Sequence, residues 1–524
     1  LNDAAAPAMM AVMLAPDLIL THGNLITLDT KRPRAAAIAV RDSRIVAVGD
    51  DAAIAALAGP GTRRVDLGGR TVTPGFIDSH LHLFWYGRQL LREADLVGSA
   101  SVDEILGRLS EVAKNSDGWI QGHGFDQDKL AEKRFPTRAE LDMVSRTRPI
   151  IVSRICGHAV VVNSAAIALV NDDERRAGDA ESGLYTENDA GAFYRRIPQL
   201  SEPEMEEAVL AACRVALKTG ITSVHTLLDS PDQMIAYSRL RRSKKLPIRV
   251  TAMPPYDCVQ QLHAHGINTT FGDEWLNVGA AKLFSDGSLG AQTALLAEPY
   301  ADKPETRGVR IHAPEDLKRK AADAQAKGFQ LAIHAIGDQA VRETLDAIEF
   351  ALGGDSNEMH RHRIEHASVT PPDCLERMAG KRIIATLQPQ FVTSDTWTGE
   401  RLGPRPTPWA YPFRSMIDSG VPVTLSSDCP VERLDAFAAI ASAVGRHPWS
   451  APNETITAEQ AIRAYCFGSA YAGHAEYRVG SLEAGKLADF VVLSGDPTTM
   501  AADAIRRLRA ERVFVGGEEV TISG

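Results

Sequence analysis

The chain has 524 residues, 44% hydrophobic and 24% charged, with a net charge of −10. That length exceeds one ordinary core and calls for a large domain with a smaller companion. No basic tract is dense enough to attract nucleic acid, and no apolar run approaches the roughly 20 residues a membrane span needs.

The opening "LNDAAAPAMMAVMLAPD", with Met9 and Met10 as candidate starts, reads as a trimmed tag or leader remnant and is set aside. The cysteines, Cys156, Cys213, Cys258, Cys374, Cys429 and Cys466, are scattered with no CxxC pair. Free thiols in a reducing, cytoplasmic compartment are expected, although a leader remnant leaves secretion open.

"DLILTHGNLITLD", "AAIAVRDSRIVAVGD" and "RRVDLGG" are short β-rich runs broken by Gly, Asp and Asn, and "ADFVVLSGDP" with "ERVFVGGEEV" repeats that style at the far end. A small β-sandwich built from both termini, residues 14–70 and 475–524, is expected. Between them apolar runs alternate with amphipathic helical patterns. The strands are "TVTPGFIDSHLH", "GITSVHT", "IRVTAM", "NVGAAKLF", "QLAIHAI", "HRIEHA", "RIIATLQPQ" and "VPVTLSSD". That set is about the eight a (β/α)₈ TIM barrel requires, and near-continuous apolar runs fit parallel strands buried on both faces. The predicted fold is therefore α/β, with the barrel over 71–474. The long connection after the first strand, holding "GWIQGHGF" and "RPIIVSRICGHAVVV", is read as an inserted rim subdomain over 92–200.

In such a barrel the chemistry lies at the carboxyl ends of the strands. Those ends carry His80 and His82, Lys282, His334, His366 and Asp428, a metal-ligand vocabulary. Alternation along a strand turns His80 and His82 to one side and Leu81 to the other. His158, His225, His263, His265 and His312 are read as ordinary buried histidines. Lys282 beside a cation makes sense as a carbamate formed with CO₂, able to bridge two metals; the plainer alternative is an ion pair with Asp286. Asp428 at the end of an apolar strand needs a cation or a donor, and it could shuttle a proton from water to a leaving nitrogen. The competing role, an N-cap, is weaker, because the next helical pattern starts near Asp435.

Laid out this way, the chain resembles the amidohydrolase superfamily, and within it the YtcJ-like, amidohydrolase-3 branch. "VTPGFIDSHLHL", "KLFSDGSLGAQTALLAEPY", "IHAIGDQAV", "HRIEHA", "SSDCPV" and "VGSLEAGKLADFVVL" carry the resemblance, with "GHGFDQDKL" and "RPIIVSRICGHAVVVNSAA" in the insertion. The resemblance implies one or two zinc ions. His80, His82 and Asp428 would hold the more buried ion, a carboxylated Lys282 would bridge, and His334 with His366 would hold the outer one. It also implies a metal-bound hydroxide as nucleophile. The segment 163–187 is shorter than the branch usually has, so specificity does not carry over.

Deaminases of the wider superfamily place a Glu three residues after the fifth-strand His, where this chain has Gly337. Hydrolysis of a small N-acyl or N-substituted amide is the expected reaction. A lactone, ester or carbamate hydrolase is the alternative on the same centre, and a metal-free binding or scaffold protein is the alternative outside enzymes. The segment "TSDTWTGERLGPRPTPWAYPF" is read as a long lid loop, with Trp397 and Trp409 contacting an apolar half of the substrate. His158 and Arg154 would hold a polar end. A homodimer is expected, with no nucleic-acid or membrane partner.

Overall fold

The computed structural model describes residues 15–522 apart from 116, 156, 158, 355–357, 405, 406, 446, 448 and 450–452. Cys156 and His158 thus lie outside the described residues. The chain divides into two compact units: one runs up to His82 and resumes at Cys213, and the other is Leu83–Ala212.

The first unit is organised by two parallel sheets. Strands β1 (Phe76–Leu81), β2 (Ile221–Leu227), β3 (Arg249–Met253) and β4 (Leu276–Val278) form a four-stranded sheet in the order β4-β3-β2-β1. Strands β5 (Ala281–Phe284), β6 (Leu331–Ala335), β7 (Arg363–His366), β8 (Ile384–Leu387) and β9 (Val423–Leu425) form a five-stranded sheet in chain order. Helices on the sheet faces keep these strands dry, which is why the runs are apolar throughout. In the helix Asp338–Leu352, Val341, Leu345, Ile348 and Leu352 fall on one buried stripe. Each such side chain contributes roughly 1.5–3 kcal/mol of burial before entropy is charged against it.

Two expected strands are each divided. "NVGAAKLF" breaks at Gly279 and Ala280, so its first half pairs with β3 and its second with β6. A Cβ on Gly279 would lie 2.7 Å from the Thr251 methyl, so only glycine lets the chain pass. At this corner the Lys282 amide donates to the Pro254 carbonyl at 2.8 Å. "TVTPGFIDSHLH" divides at Gly75, where a Cβ would lie 2.0 Å from Thr222 Oγ1. Thr71–Pro74 pairs with strands of the chain ends, and only β1 joins the parallel sheet.

The terminal strands form two further sheets. One has six strands in the order Glu518–Val520, Ala510–Val515, Phe490–Leu493, Thr71–Pro74, Asn24–Ile26, Arg34–Ala35, drawn from both ends of the sequence. The other has four: Arg44–Gly49, Ala37–Arg41, Leu18–Thr21 and Arg63–Asp66. Leu18, Ile38, Val40, Val72, Phe490 and Phe514 share one core between them.

The second unit carries a five-stranded mixed sheet, in the order Leu184–Thr186, Ala159–Val162, Ile150–Arg154, Ile120–Phe125, Glu93–Asp95. Among the described residues no helix is long and apolar enough to cross a membrane.

Candidate metal centre

His80, at the end of β1, is almost fully buried. Its Nε2 lies 3.3 Å from Asp428 Oδ1, while its Nδ1 bonds the Glu365 carboxylate. The His366 ring centroid is 4.9 Å from that of His80 and 4.5 Å from that of His334. Ligand atoms of His80, His366 and Asp428 all lie within 4.8 Å of one another. His82 borders this group, with Nε2 3.8 Å from Asp428 Oδ1 and Nδ1 3.0 Å from Asp229 Oδ1. His334 Nε2 is 3.0 Å from the Gly287 carbonyl and 3.4 Å from Asp286 Oδ1.

The backbone is strained where the site is made. His366 has φ 75° and Asp428 has φ 58°, left-handed conformations that cost non-glycine residues about 1–3 kcal/mol. At β7 this breaks the strict strand alternation, so the adjacent Glu365 and His366 both reach His80. Further partners hold these side chains in place. His366 Nδ1 meets Gln388 Oε1 at 2.9 Å, and Gln388 donates to Ser426 Oγ at 2.8 Å. Asp78 accepts from the Ser427 amide at 3.0 Å and from the Tyr465 hydroxyl at 2.9 Å.

Lys282 stands apart. Its Nζ is buried, has no hydrogen-bond partner, and sits 4.6 Å from the centre of the Phe284 ring. The alternative of an ion pair with Asp286 fails: that carboxylate is spent on the amides of Leu295, Ile336 and Gly337 at 2.8, 3.0 and 2.9 Å. The N-cap alternative for Asp428 fails too, because Asp435 caps the following helix through the amides of Phe437 and Ala438.

Burial pushes the Lys282 amine down to about 8. Burial also holds His366 well below the usual imidazole range, with the charges of His334 and His80 adding to it, so the ring is neutral and able to ligate. For Asp428 burial opposes ionisation, but the hydrogen bond and charge of His80, with His82 and Lys282, outweigh it and keep the carboxylate anionic. His82 is drawn up: burial disfavours its charge and Asp229 more than compensates.

The expected substrate residues have partners of their own. Arg154 is buried in the second unit, donating to Gln127 Oε1 at 2.7 Å and Asp126 Oδ1 at 3.2 Å. The Arg401 guanidinium stacks over Trp397 at 3.7 Å, and the half-buried Trp409 accepts the Thr370 amide through its carbonyl at 3.0 Å. The segment around them is not the unstructured loop expected from its Gly and Pro content. It carries short helices at Phe391–Ser394, Thr398–Leu402 and Thr407–Trp409. Its Tyr411 and Phe413 are buried in packing. Of the histidines read as buried, His225 is so, but His263 and His265 are exposed.

Sequence reasoning missed Glu365, Asp229 and Gln388, and considered Asp286 only as an ion-pair partner of Lys282. For Glu365 a signal existed: Arg363 and Glu365 alternate on one face of an apolar strand, where charges need partners.

The amidohydrolase family model matches residues 63–521, and the chain belongs to that family. It is 32% identical to the putative amidohydrolase YtcJ of Bacillus subtilis, over 95% of this chain and 98% of that one. It is 28% identical to the N-substituted formamide deformylase of Arthrobacter pascens, over 96% and 97%. An uncharacterized metal-dependent hydrolase from Pyrococcus furiosus has a TM-score of 0.79 at 32% identity, covering 92% of this chain and 100% of that one. The protein is a metal-dependent, YtcJ-like amidohydrolase, a hydrolase of carbon–nitrogen bonds.

Proposed function

We propose that this enzyme hydrolyses a small N-substituted amide to an acid and an amine, with zinc as its ion. The observation that carries this reading is the convergence of His80, His366 and Asp428, ligand atoms within 4.8 Å, beside a buried lysine amine with no partner. Two imidazoles and a carboxylate are a donor set that zinc accepts. The orphaned Lys282 Nζ fits the same site as a carbamate. Its neutral amine would add to CO₂, forming an N–C bond and releasing a proton, and leave an anionic carboxylate in place of the unpartnered amine. His82 and His334, at the edges of the cluster, complete the proposed ligand set.

A bound divalent ion supplies Lewis-acid polarisation of the carbonyl and brings the pKa of water to about 7. The chain supplies the rest. Asp428 accepts the proton of the attacking water and returns it to the departing nitrogen. Phe284, 41% exposed beside Lys282 and with its ring 5.4 Å from that of His334, offers an apolar face to the nitrogen substituent. The name of the Arthrobacter relative supports a formamide-type acyl group.

Ring deamination is disfavoured by sterics. A Cβ on Gly337 would lie 2.0 Å from the Leu295 carbonyl oxygen, so no carboxylate can occupy that position.

The reading includes one closed (β/α)₈ barrel made of the two parallel sheets. It is supported by the Lys282–Pro254 link and, at the other edge, by Asp428 N to His80 O at 2.9 Å and His82 N to Cys429 O at 2.8 Å. The shared core of the terminal sheets supports a composite domain of residues 14–70 and 475–524.

The test is a rate panel with zinc-loaded protein: N-benzylformamide and N-acyl amines, the matched esters, adenine and cytosine. Amide turnover above ester turnover is expected. Faster ester cleavage, or base deamination with the amides spared, overturns the proposal.

A further inference from the structure

Arg363 lies on β7, with its side chain 1% exposed. A guanidinium there has no water to solvate it, so its donors must find protein acceptors. They do. Nε donates to Glu365 Oε1 at 2.7 Å, and Nη2 donates to Glu365 Oε2 at 3.0 Å and to the Ser79 carbonyl at 2.6 Å. Nη1 lies 3.1 Å from His225 Nδ1. Burial, with the Arg363 charge adding to it, holds His225 down to about 3, so its ring is neutral and accepts that bond. Glu365 is equally saturated: Thr386 Oγ1 donates to Oε1 at 3.3 Å, and Oε2 takes His80 Nδ1.

One side chain therefore grips both things that determine where the His80 ring stands. It clamps the carboxylate bonded to Nδ1, and it clamps the peptide carbonyl immediately before His80. We propose that Arg363 is a positioning residue: through Glu365 and the Ser79 carbonyl it fixes the His80 ring and keeps its proton on Nδ1, so that the Nε2 lone pair faces a divalent ion beside Asp428. The bidentate fork matters as much as the charge, because a lysine point charge cannot hold two carboxylate oxygens and a carbonyl at once. This inference rests on the reading of His80 as a metal ligand.

A purely structural ion pair would behave differently. Replacing a buried pair by apolar residues of similar volume is often neutral for stability, so fold and positioning can be separated. The experiment uses the full chain and reads zinc affinity by competition with a chromogenic chelator, together with the visible spectrum of the cobalt-substituted protein. For the double variant Arg363→Met/Glu365→Leu we expect a cooperatively folded protein with a thermal midpoint lowered by the unpaired Ser79 carbonyl and His225 Nδ1, zinc affinity weakened by about 10- to 100-fold and an altered cobalt spectrum. Glu365→Gln, isosteric and still able to accept from Nδ1, should weaken zinc less, and Arg363→Lys should fall between Glu365→Gln and the double variant. Wild-type zinc affinity with an unchanged cobalt spectrum in any of these variants that folds overturns the proposal. The titration needs no substrate, so inactivity toward amides would leave it standing. Unchanged zinc affinity in His80→Asn would remove both the ligand assignment and this inference.

Discussion

The two sides of the candidate centre are built on opposite plans. Around His80 the bonding capacity of Glu365 and Arg363 is met by protein groups, all of them buried. Around Lys282 a buried amine goes without a hydrogen-bond partner, and its neighbour Phe284 is open to solvent. The saturated side is organised before any ligand arrives. The unsaturated side leaves one buried amine without a hydrogen bond from the polypeptide. On the proposed reading the two plans are complementary: a rigid half holds geometry, and a half with unmet hydrogen-bonding capacity would take up CO₂ and substrate.

The comparison is broken most severely at Asp428, which the rigid side orients. Asp428→Asn should lower kcat by about 10²–10⁴-fold on the best amide, with circular dichroism unchanged. Activity within a few-fold of wild type would remove it from proton transfer. Stripping the ion with a chelator should abolish turnover, and zinc should restore it; metal analysis alongside the rate checks both.

On the open side, refilling stripped enzyme with zinc should recover more activity with dissolved CO₂ than without. Because the reactive form of Lys282 is the neutral amine, raised in population as pH increases toward its pKa of about 8, the sign is fixed. At constant dissolved CO₂, the initial reactivation rate should rise about tenfold per unit well below that value and level off above it. Equal recovery with and without CO₂ would leave Lys282 as a bare amine.

The smallest effect is expected at the apolar wall. Phe284→Ala should raise KM for N-benzylformamide by about tenfold and leave N-methylformamide nearly unchanged, the scale of a lost hydrophobic pocket contact. Trp397→Ala, which removes a ring already covered by Arg401, should move either KM less. The reverse order would shift the wall to the Trp397 segment.

How much of this was legible in the sequence follows from where the determining contacts lie. The parallel strands could be read because burial on both faces leaves uninterrupted apolar runs, and His80, His366 and Asp428 stood out as polar ends of such runs. The breaks at Gly75 and Gly279 could not be read. They depend on contacts with Thr222 and Thr251, which lie on neighbouring strands and not beside these glycines in the sequence. Glu365 was overlooked because its partner His80 lies 285 positions earlier, and Asp229 because His82 lies 147 positions before it. The helical turns after Phe391 were hidden by a Gly- and Pro-rich composition that normally signals loop.

The missing side chain at Gly337 has an evolutionary reach. A side chain there would meet the Leu295 carbonyl oxygen, and the Asp286 carboxylate holds that segment in place by accepting from the amides of Leu295, Ile336 and Gly337. On the proposed reading, a carboxylate at that position would require the main chain between Asp286 and Leu295 to be re-laid first, a remodelling beyond the substitution of Gly337 alone.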